Sequence, residues 1–370
     1  MSNKNILEYL LIPFSWIYGM VVAIRNLMFD TQILKQKEFN IPVISVGNIT
    51  AGGTGKTPHV EYLVNLLKNE FKVATLSRGY KRKTKGFISA GYNSTAEELG
   101  DEPCQIKGKF PDIEVAVDNK RVNGIQKLLL SEKKIEVIIL DDAYQHRFVK
   151  PGLSLLLIDY SRPITEDYLL PFGRLREPVS AKRRADIILV TKCPETIKPI
   201  DRRIVSKNLE LLYFQNLYFT TVLAGDIKSV FPGYSSPGNE KIRETNPAIL
   251  LISGIANPRD LQKFAQNISA NIIELIFPDH HDYNENDIKR ILDVFQSVPG
   301  INKIIITTEK DAVRLRKFET LPEEIKENMF FIPIRISFLN NEEENFNKQI
   351  LNYVRSNKRN SILHKGKNQI

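Results

Sequence analysis

The chain is poor in cysteine, short of acid, and lacks a long unbroken apolar run. Its two cysteines, Cys104 and Cys193, supply neither a disulfide framework nor a metal-ligand spacing. They suit a reducing compartment. Lysine and arginine number 52 against 43 aspartates and glutamates, a net charge of +9 with a pI near 9.2. That balance favours an anionic partner: nucleic acid, a phospholipid surface or a phosphorylated substrate. No recognised nucleic-acid module accompanies it, so no nucleic-acid partner is expected. No internal repeat is visible. The N-terminal apolar run from Tyr9 to Ile24 has about 16 residues and is interrupted by Pro13, Ser15 and Gly19. A comfortable bilayer span needs ~20. Hydrophobic residues at 42% and charged residues at 26% exclude global disorder, and 370 residues suffice for about two domains.

The chain does carry a glycine-dense turn between a strand and a helix. Ile41–Val46 reads as a short β run, and a helical pattern follows from Pro58 to Lys68. Between them lie Thr50, Ala51, Gly52, Gly53, Thr54, Gly55, Lys56 and Thr57. Strand, phosphate loop and helix stand in the order that the chemistry requires. Glycines let successive backbone N–H groups face an anion, and the helix N-terminus adds its dipole. Lys56 would reach the β- and γ-phosphates, and the Thr57 hydroxyl would hold Mg²⁺. The strict pattern asks for glycine where Thr50 stands; Gly52 and Gly53 supply that freedom instead.

From Ile41 to Lys192 strand and helix patterns alternate. Strands are expected at Ile41–Val46, Val73–Leu76, Ile113–Val117, Val137–Leu140, Leu153–Ile158 and Ile187–Val190, with a helix over Val122–Ser131. Continuous apolar strands imply a parallel sheet with helices on both faces, whose ligands bind at the carboxyl ends of the strands. Leu211–Leu223 reads as a long strand joining two lobes, and Phe231–Pro247 as a polar loop. A second α/β unit runs from Ile249 to Ser337. The expected division is an N-terminal membrane-surface helix at 1–30, a phosphate-loop domain at 31–210 and a linking strand at 211–225, then a smaller α/β lobe at 226–345 and a basic, fraying tail at 346–370. Trp16, Tyr9 and Tyr18 are side chains that favour a membrane interface. They favour a helix lying on the bilayer over a buried core helix, a full span or a signal peptide.

Several constellations fall at or after strand ends. Val137–Leu140 leads into Asp141 and Asp142, where a phosphate-loop enzyme needs acid for Mg²⁺; adjacent side chains of a strand point oppositely, so the two divide the work. The alternative is an aspartate capping the next turn. Gly100-Asp101-Glu102-Pro103 starts a helix, with Asp101 either its cap or the carboxylate that orients an acceptor hydroxyl. Asp279-His280-His281-Asp282 follows a β-like run and reads as a surface loop, a metal site or a catalytic group. Arg78, Arg174 and Arg176 lie in loops after strands, where a guanidinium fork suits phosphate; simple solvation is the alternative. Thr191-Lys192 and Thr308-Glu-Lys-Asp311 faintly resemble guanine-reading loops, with the pattern incomplete.

Taken in order, these motifs resemble the tetraacyldisaccharide 4′-kinase family, the membrane-associated lipid A kinases. The matching stretches are Gly47–Pro58, Leu76–Tyr80, Gly100–Pro103, Asp141–Arg147, Leu170–Pro178, Asp279-His280 and Thr308–Leu315. Ala143, Tyr144, Phe172 and Arg174 depart from the family's usual residues. The resemblance implies that ATP phosphorylates the 4′-hydroxyl of an acylated glucosamine disaccharide 1-phosphate at the cytoplasmic face of the bacterial inner membrane. It implies an Asp101–His280 dyad at the acceptor, with Asp101 the base. Thr57, Asp141 and Asp142 would hold Mg²⁺. Arg78, Glu102, Arg121, Arg174 and Arg176 would be weaker substrate contacts. The rival readings are a membrane-associated phosphate-loop ATPase or GTPase switch and a non-enzymatic nucleotide sensor.

Overall fold

The computed structural model describes residues 9–255, 257–279 and 281–367, with side chains as far as Asn357. The strands are β1 Val43–Gly47, β2 Val73–Ser77, β3 Ile88–Ser89, β4 Glu114–Val117, β5 Val137–Asp141, β6 Leu153–Asp159 and β7 Ile187–Thr191, then β8 Asn216–Ala224, β9 Lys228–Ser229, β10 Ala248–Ser253, β11 Ile272–Ile276, β12 Lys303–Thr308, β13 Met329–Ile332 and β14 Ile334–Phe338. They form a nine-stranded sheet in the order β14-β8-β7-β6-β1-β5-β2-β4-β3 and a five-stranded sheet in the order β11-β10-β12-β13-β9.

The chain divides into two compact units. Unit 1 holds residues 1–94, 106–222 and 336–370; unit 2 holds 95–105 and 223–335. In unit 1 the strands from β4 across to β8 pair in parallel, and the short β3 pairs antiparallel with β4. Every residue of β1, β2, β4, β5, β6 and β7 is buried. Their sequences are predominantly apolar rather than alternating because both faces are covered. Val46 of β1 lies beside Asp141, the last residue of β5, and Leu155 of β6, so β1 and β5 end nearly level while β6 runs on to Asp159.

Unit 2 has its own core. Leu250, Ile252, Ile305, Met329 and Phe331 face one cluster, while the alternate residues Ile249, Leu251, Ile304, Ile306, Phe330 and Ile332 face another. That alternation places helices on both sides of the smaller sheet. The segment Phe231–Pro247 is not wholly loop: Asn239–Thr245 is helical and buries Ile242. The strand expected from Leu211 starts later, at Asn216, because Gln215 folds back to bond the carbonyls of Lys182 and Ala185.

The last segment is a helix from Glu343 to Lys367 rather than a frayed tail. Phe346, Ile350 and Val354 are buried at intervals of four, one face of a helix. Phe346 packs against the rings of Tyr62, Tyr218 and Phe338. The Tyr353 hydroxyl lies 3.2 Å from both the N–H and the carbonyl of Val43, tying this helix to the start of β1.

Candidate active site

β1 delivers the chain into the glycine turn and the helix Lys56–Leu67 leaves it. Gly52 and Gly55 take φ of +108° and +81°, which side chains with a Cβ resist. A Cβ on Gly53 would meet nothing within 4 Å, so the turn presents open backbone. Before the turn, a Cβ on Gly47 would lie 2.7 Å from that of Tyr144, so only glycine fits there.

The turn is held from all sides. Ala51 N–H donates to the Arg174 carbonyl and Arg176 N–H to the Ile49 carbonyl, both at 2.7 Å, with Thr50 bridged to Leu175. Asn48 donates to the Thr54 hydroxyl at 2.9 Å, and the Thr191 hydroxyl donates to the Thr54 carbonyl at 2.9 Å. Lys192 Nζ donates to the Gly53 carbonyl at 2.7 Å and faces Asp159 at 3.6 Å. Thr191 and Lys192 therefore brace the loop's backbone. Arg162, bonded to Asp159 at 3.0 Å, also approaches Gly52. One turn into the helix, the buried His59 bonds the Gly55 carbonyl through Nδ1 at 2.7 Å and meets the Thr220 hydroxyl through Nε2 at 3.1 Å.

Across the turn stand the two carboxylates at the end of β5. Lys56 Nζ is 3.5 Å from Asp142 Oδ1, and Arg176 Nη1 is 3.5 Å from Asp142 Oδ2. Burial alone would raise the Asp142 carboxyl, but Lys56 and then Arg176 outweigh it and hold it below its ordinary value. Asp142 has φ of +47°, which turns its side chain away from that of the buried Asp141. Arg121 is buried, donating to the Asp118 carbonyl at 2.9 Å and, at 3.5 Å, to that of Asp141. Burial pulls its guanidinium down to about 10 against the attraction of Asp141 and Asp142, so it stays charged at neutral pH. Burial, and then the positive field of Arg121, Arg25 and Arg78, pushes His146 down to about 4. Arg78 and Arg174 are exposed; Arg174 joins the turn through its backbone alone.

The helix Ile12–Asp30 docks onto the loops beside this site. The Ser15 hydroxyl donates to the Leu169 carbonyl at 3.0 Å, Tyr18 to that of Arg176 at 2.9 Å, and Arg25 to that of Gln145 at 2.9 Å. Gln145 in turn donates to the Asn48 carbonyl at 2.7 Å. The other face exposes Phe14, Trp16, Ile17, Met20, Val21, Ile24 and Leu27. The helix is long and apolar enough to cross a membrane, and only 11% of its most apolar stretch is buried.

In unit 2, Asp101 opens the helix Asp101–Lys109 and pairs with Arg314; Glu102 pairs with Lys310. Arg314 also bonds Asp311 at 3.0 Å. Asp101 is thus neither a bare cap nor a solvated carboxylate. His280 lies outside the described residues. Its neighbour His281 is committed to Asp287 at 2.8 Å and stacks on Phe277. Among the described residues no three metal-ligating side chains converge.

The residues fit a nucleoside polyphosphate with a divalent cation. The turn offers open backbone backed by a lysine, and the buried Asp142 Oδ1 has no hydrogen-bond donor among the described residues, only its ion pair to Lys56. The sequence assigns no role to His59 or Arg162, and it places Gln145 and Arg314 in matching stretches without giving either a contact. Of these, His59 and Gln145 lie within four residues of Gly55 and Asp142, while Arg162 and Arg314 have no such local signal.

The parallel sheet, the glycine turn at its central strand and the lysine–aspartate pair across that turn define a phosphate-loop nucleotide-binding protein. A family model described as tetraacyldisaccharide-1-P 4′-kinase matches residues 7–355. The chain is 48% identical over 365 residues to a protein of Bacteroides thetaiotaomicron named tetraacyldisaccharide 4′-kinase, covering 97% of this chain and 96% of that one. It is 50% identical over 353 residues to one of the same name from Phocaeicola vulgatus, covering 95% and 96%. The crystal structure of LpxK from Aquifex aeolicus in complex with ATP superposes with a TM-score of 0.74 at 30% identity, covering 94% of this chain and all of that one. This chain belongs to the tetraacyldisaccharide 4′-kinase family.

Proposed function

We propose that this protein transfers the γ-phosphoryl group of ATP to the 4′-hydroxyl of an acylated glucosamine disaccharide 1-phosphate, the phosphorylation step of lipid A synthesis. The observation that carries the nucleotide half is the Lys56–Asp142 pair, 3.5 Å apart across a glycine turn clamped on every side. Backbone N–H groups of Thr50, Gly52, Gly53, Thr54 and Gly55 cradle the polyphosphate and Lys56 neutralises it, while the Ala51 N–H stays on the Arg174 carbonyl and holds the turn open. Thr57, Asp141 and Asp142 would hold Mg²⁺, which when bound offsets charge on the β- and γ-oxygens.

The acceptor oxygen forms the new bond to the γ-phosphorus. The bond to the bridging oxygen breaks, and its electron pair leaves on ADP. The hydroxyl proton passes to Asp101, with His280 orienting that carboxylate. Because the transition state is loose, the protein contributes mainly positioning and charge neutralisation. Arg78, Arg121, Arg174 and Arg176 serve the substrate's phosphate, and Glu102 acts indirectly by anchoring its segment to Lys310.

The lipid is delivered at the cytoplasmic face of the inner membrane, where the apolar face of the Ile12–Asp30 helix rests in the bilayer surface. An apolar face opposite a face bonded to the site's loops favours a peripheral mode over a span. The test is mass spectrometry of purified disaccharide 1-phosphate lipid after incubation with ATP, Mg²⁺ and protein. A gain of one phosphate on the distal sugar, absent with Lys56→Ala, is expected. Fast ATP hydrolysis indifferent to the lipid would instead identify a nucleotide switch.

A further inference from the structure

Eleven residues, Thr95–Gln105, belong to unit 2 although the chain on both sides belongs to unit 1. They carry Asp101 and Glu102, and the helix Glu309–Leu315 grips both. Lys310 bonds Glu102 and Arg314 bonds Asp101, four residues apart on the same face of that helix. Arg314 is itself fixed from behind. Its Nη1 donates to Asp311 at 3.0 Å and to the Gly254 carbonyl at 3.3 Å. Asp311 is fully buried and accepts from the Gly254 N–H at 2.9 Å and the Thr308 hydroxyl at 2.7 Å.

We propose that Arg314 is the positioning residue of the acceptor site, holding the Asp101 carboxylate ionised and in one orientation, with Lys310 fastening the same segment through Glu102. This rests on the reading of Asp101 as the proton acceptor. Three considerations favour it over a merely structural role. A buried ion pair is a poor fastener, since apolar residues of the same volume serve as well or better. The guanidinium fork spans two carboxylates at once, which fixes a direction as well as a distance. Asp101, Asp311 and Arg314 together carry one net negative charge, so without the arginine two carboxylates would face each other and protonation of one would be favoured.

Among the described residues, the other titratable groups near Asp101 do not replace that charge. Lys310 is spent on Glu102, which it holds below its ordinary value against burial. Burial pushes the Cys104 thiol up to about 11, so it stays neutral. The buried Tyr283, next to Asp311, is likewise held neutral by burial and then by that carboxylate. Burial acts to lower Arg314, but its hydrogen bond to Asp101 more than restores it, so the guanidinium is a permanent cation.

The test compares Arg314→Met, Arg314→Lys and Asp101→Asn in the full-length protein, by kcat, KM for ATP and for lipid, pH–rate profile and melting temperature. Arg314→Met should lose roughly 100-fold in kcat with KM for ATP unchanged, since a mispositioned general base forfeits most of its effect. Its acid limb should move up by about one pH unit as the compensating charge goes. Arg314→Lys should keep the wild-type limb and lose about tenfold, because the charge remains but the fork does not. Wild-type kcat and pH profile in Arg314→Met would overturn the inference while leaving Asp101 in place, provided Asp101→Asn is inactive. Full activity in Asp101→Asn would instead remove the reading beneath it. Should Arg314→Met fail to fold, Arg314→Lys decides: a tenfold fall in kcat at constant KM supports the inference, and an unchanged kcat defeats it.

Discussion

His59 gives the phosphate loop a pH limit that can be worked out from its surroundings. The ring is buried, and its Nδ1 lies 2.7 Å from the Gly55 carbonyl, so Nδ1 carries the proton. Nε2, 3.1 Å from the Thr220 hydroxyl, is then the acceptor. Burial pushes the imidazole from 6.5 to about 4, partly opposed by the bond to Gly55. Between those two values the unfolded chain binds a proton that the folded chain refuses. Stability due to this group is therefore complete above pH 6.5 and is lost as the pH falls towards 4. At 1.36 kcal/mol per unit the full loss is about 3 kcal/mol, and roughly 2 kcal/mol is gone by pH 5. His146 is pushed down to about 4 as well, so the wild type alone would confuse the two. His59→Asn keeps a donor at the Nδ1 position and removes the titration. Urea unfolding followed by circular dichroism, at pH 7.5, 6 and 5, should show the wild type losing about 2 kcal/mol more than His59→Asn between the extremes. Parallel pH dependences would refute the assignment, as would an imidazole resonance for His59 titrating near 6.5.

Lys56→Ala should cut turnover by at least ~100-fold, the scale of losing one electrostatic stabiliser, with an unchanged melting temperature; a matching fall in stability would mean the lysine is structural. Asp142→Asn should weaken the Mg²⁺ dependence of ATP binding, read by titrating Mg²⁺ at fixed nucleotide; an unaltered Mg²⁺ requirement would remove Asp142 from the metal site. Gly47→Ala should destabilise by about 1–3 kcal/mol through overpacking against the Cβ and backbone of Tyr144, read by urea unfolding, and Tyr144→Ala should not relieve it, because alanine keeps those atoms. Replacing Phe14, Trp16 and Ile17 together by serine should reduce sedimentation with anionic vesicles while leaving the melting temperature in place, because all three side chains are exposed. Undiminished sedimentation would set the bilayer contact elsewhere on the surface.

What could be read from the sequence was whatever is local in the chain. The strands around β1, β2, β5, β6 and β7 were legible because a strand buried on both faces is mostly apolar without alternating, and each of these is. The phosphate turn was legible because only glycines tolerate φ near +108° and +81° next to a lysine that begins a helix. The C-terminal helix was missed although Phe346, Ile350 and Val354 recur every four residues, because the basic composition after Lys358 outweighed that pattern. A different kind of information was absent altogether. Arg176 meets Asp142 across 34 residues of chain, Lys192 meets Gly53 across 139, and Arg314 meets Asp101 across 213. A charged side chain has no periodicity that announces its partner, and each of these residues sits in a sequence where solvation would be equally reasonable. The first two meetings lie within unit 1 and follow from which strand ends its sheet order brings together; the third lies within unit 2, between the helices Asp101–Lys109 and Glu309–Leu315. The polar frame of the site is therefore a consequence of topology, while its glycine cradle is a consequence of local stereochemistry. Substitutions in the cradle should act through backbone strain, and substitutions in the frame through charge left unpaired, which melting curves and pH–rate profiles can tell apart.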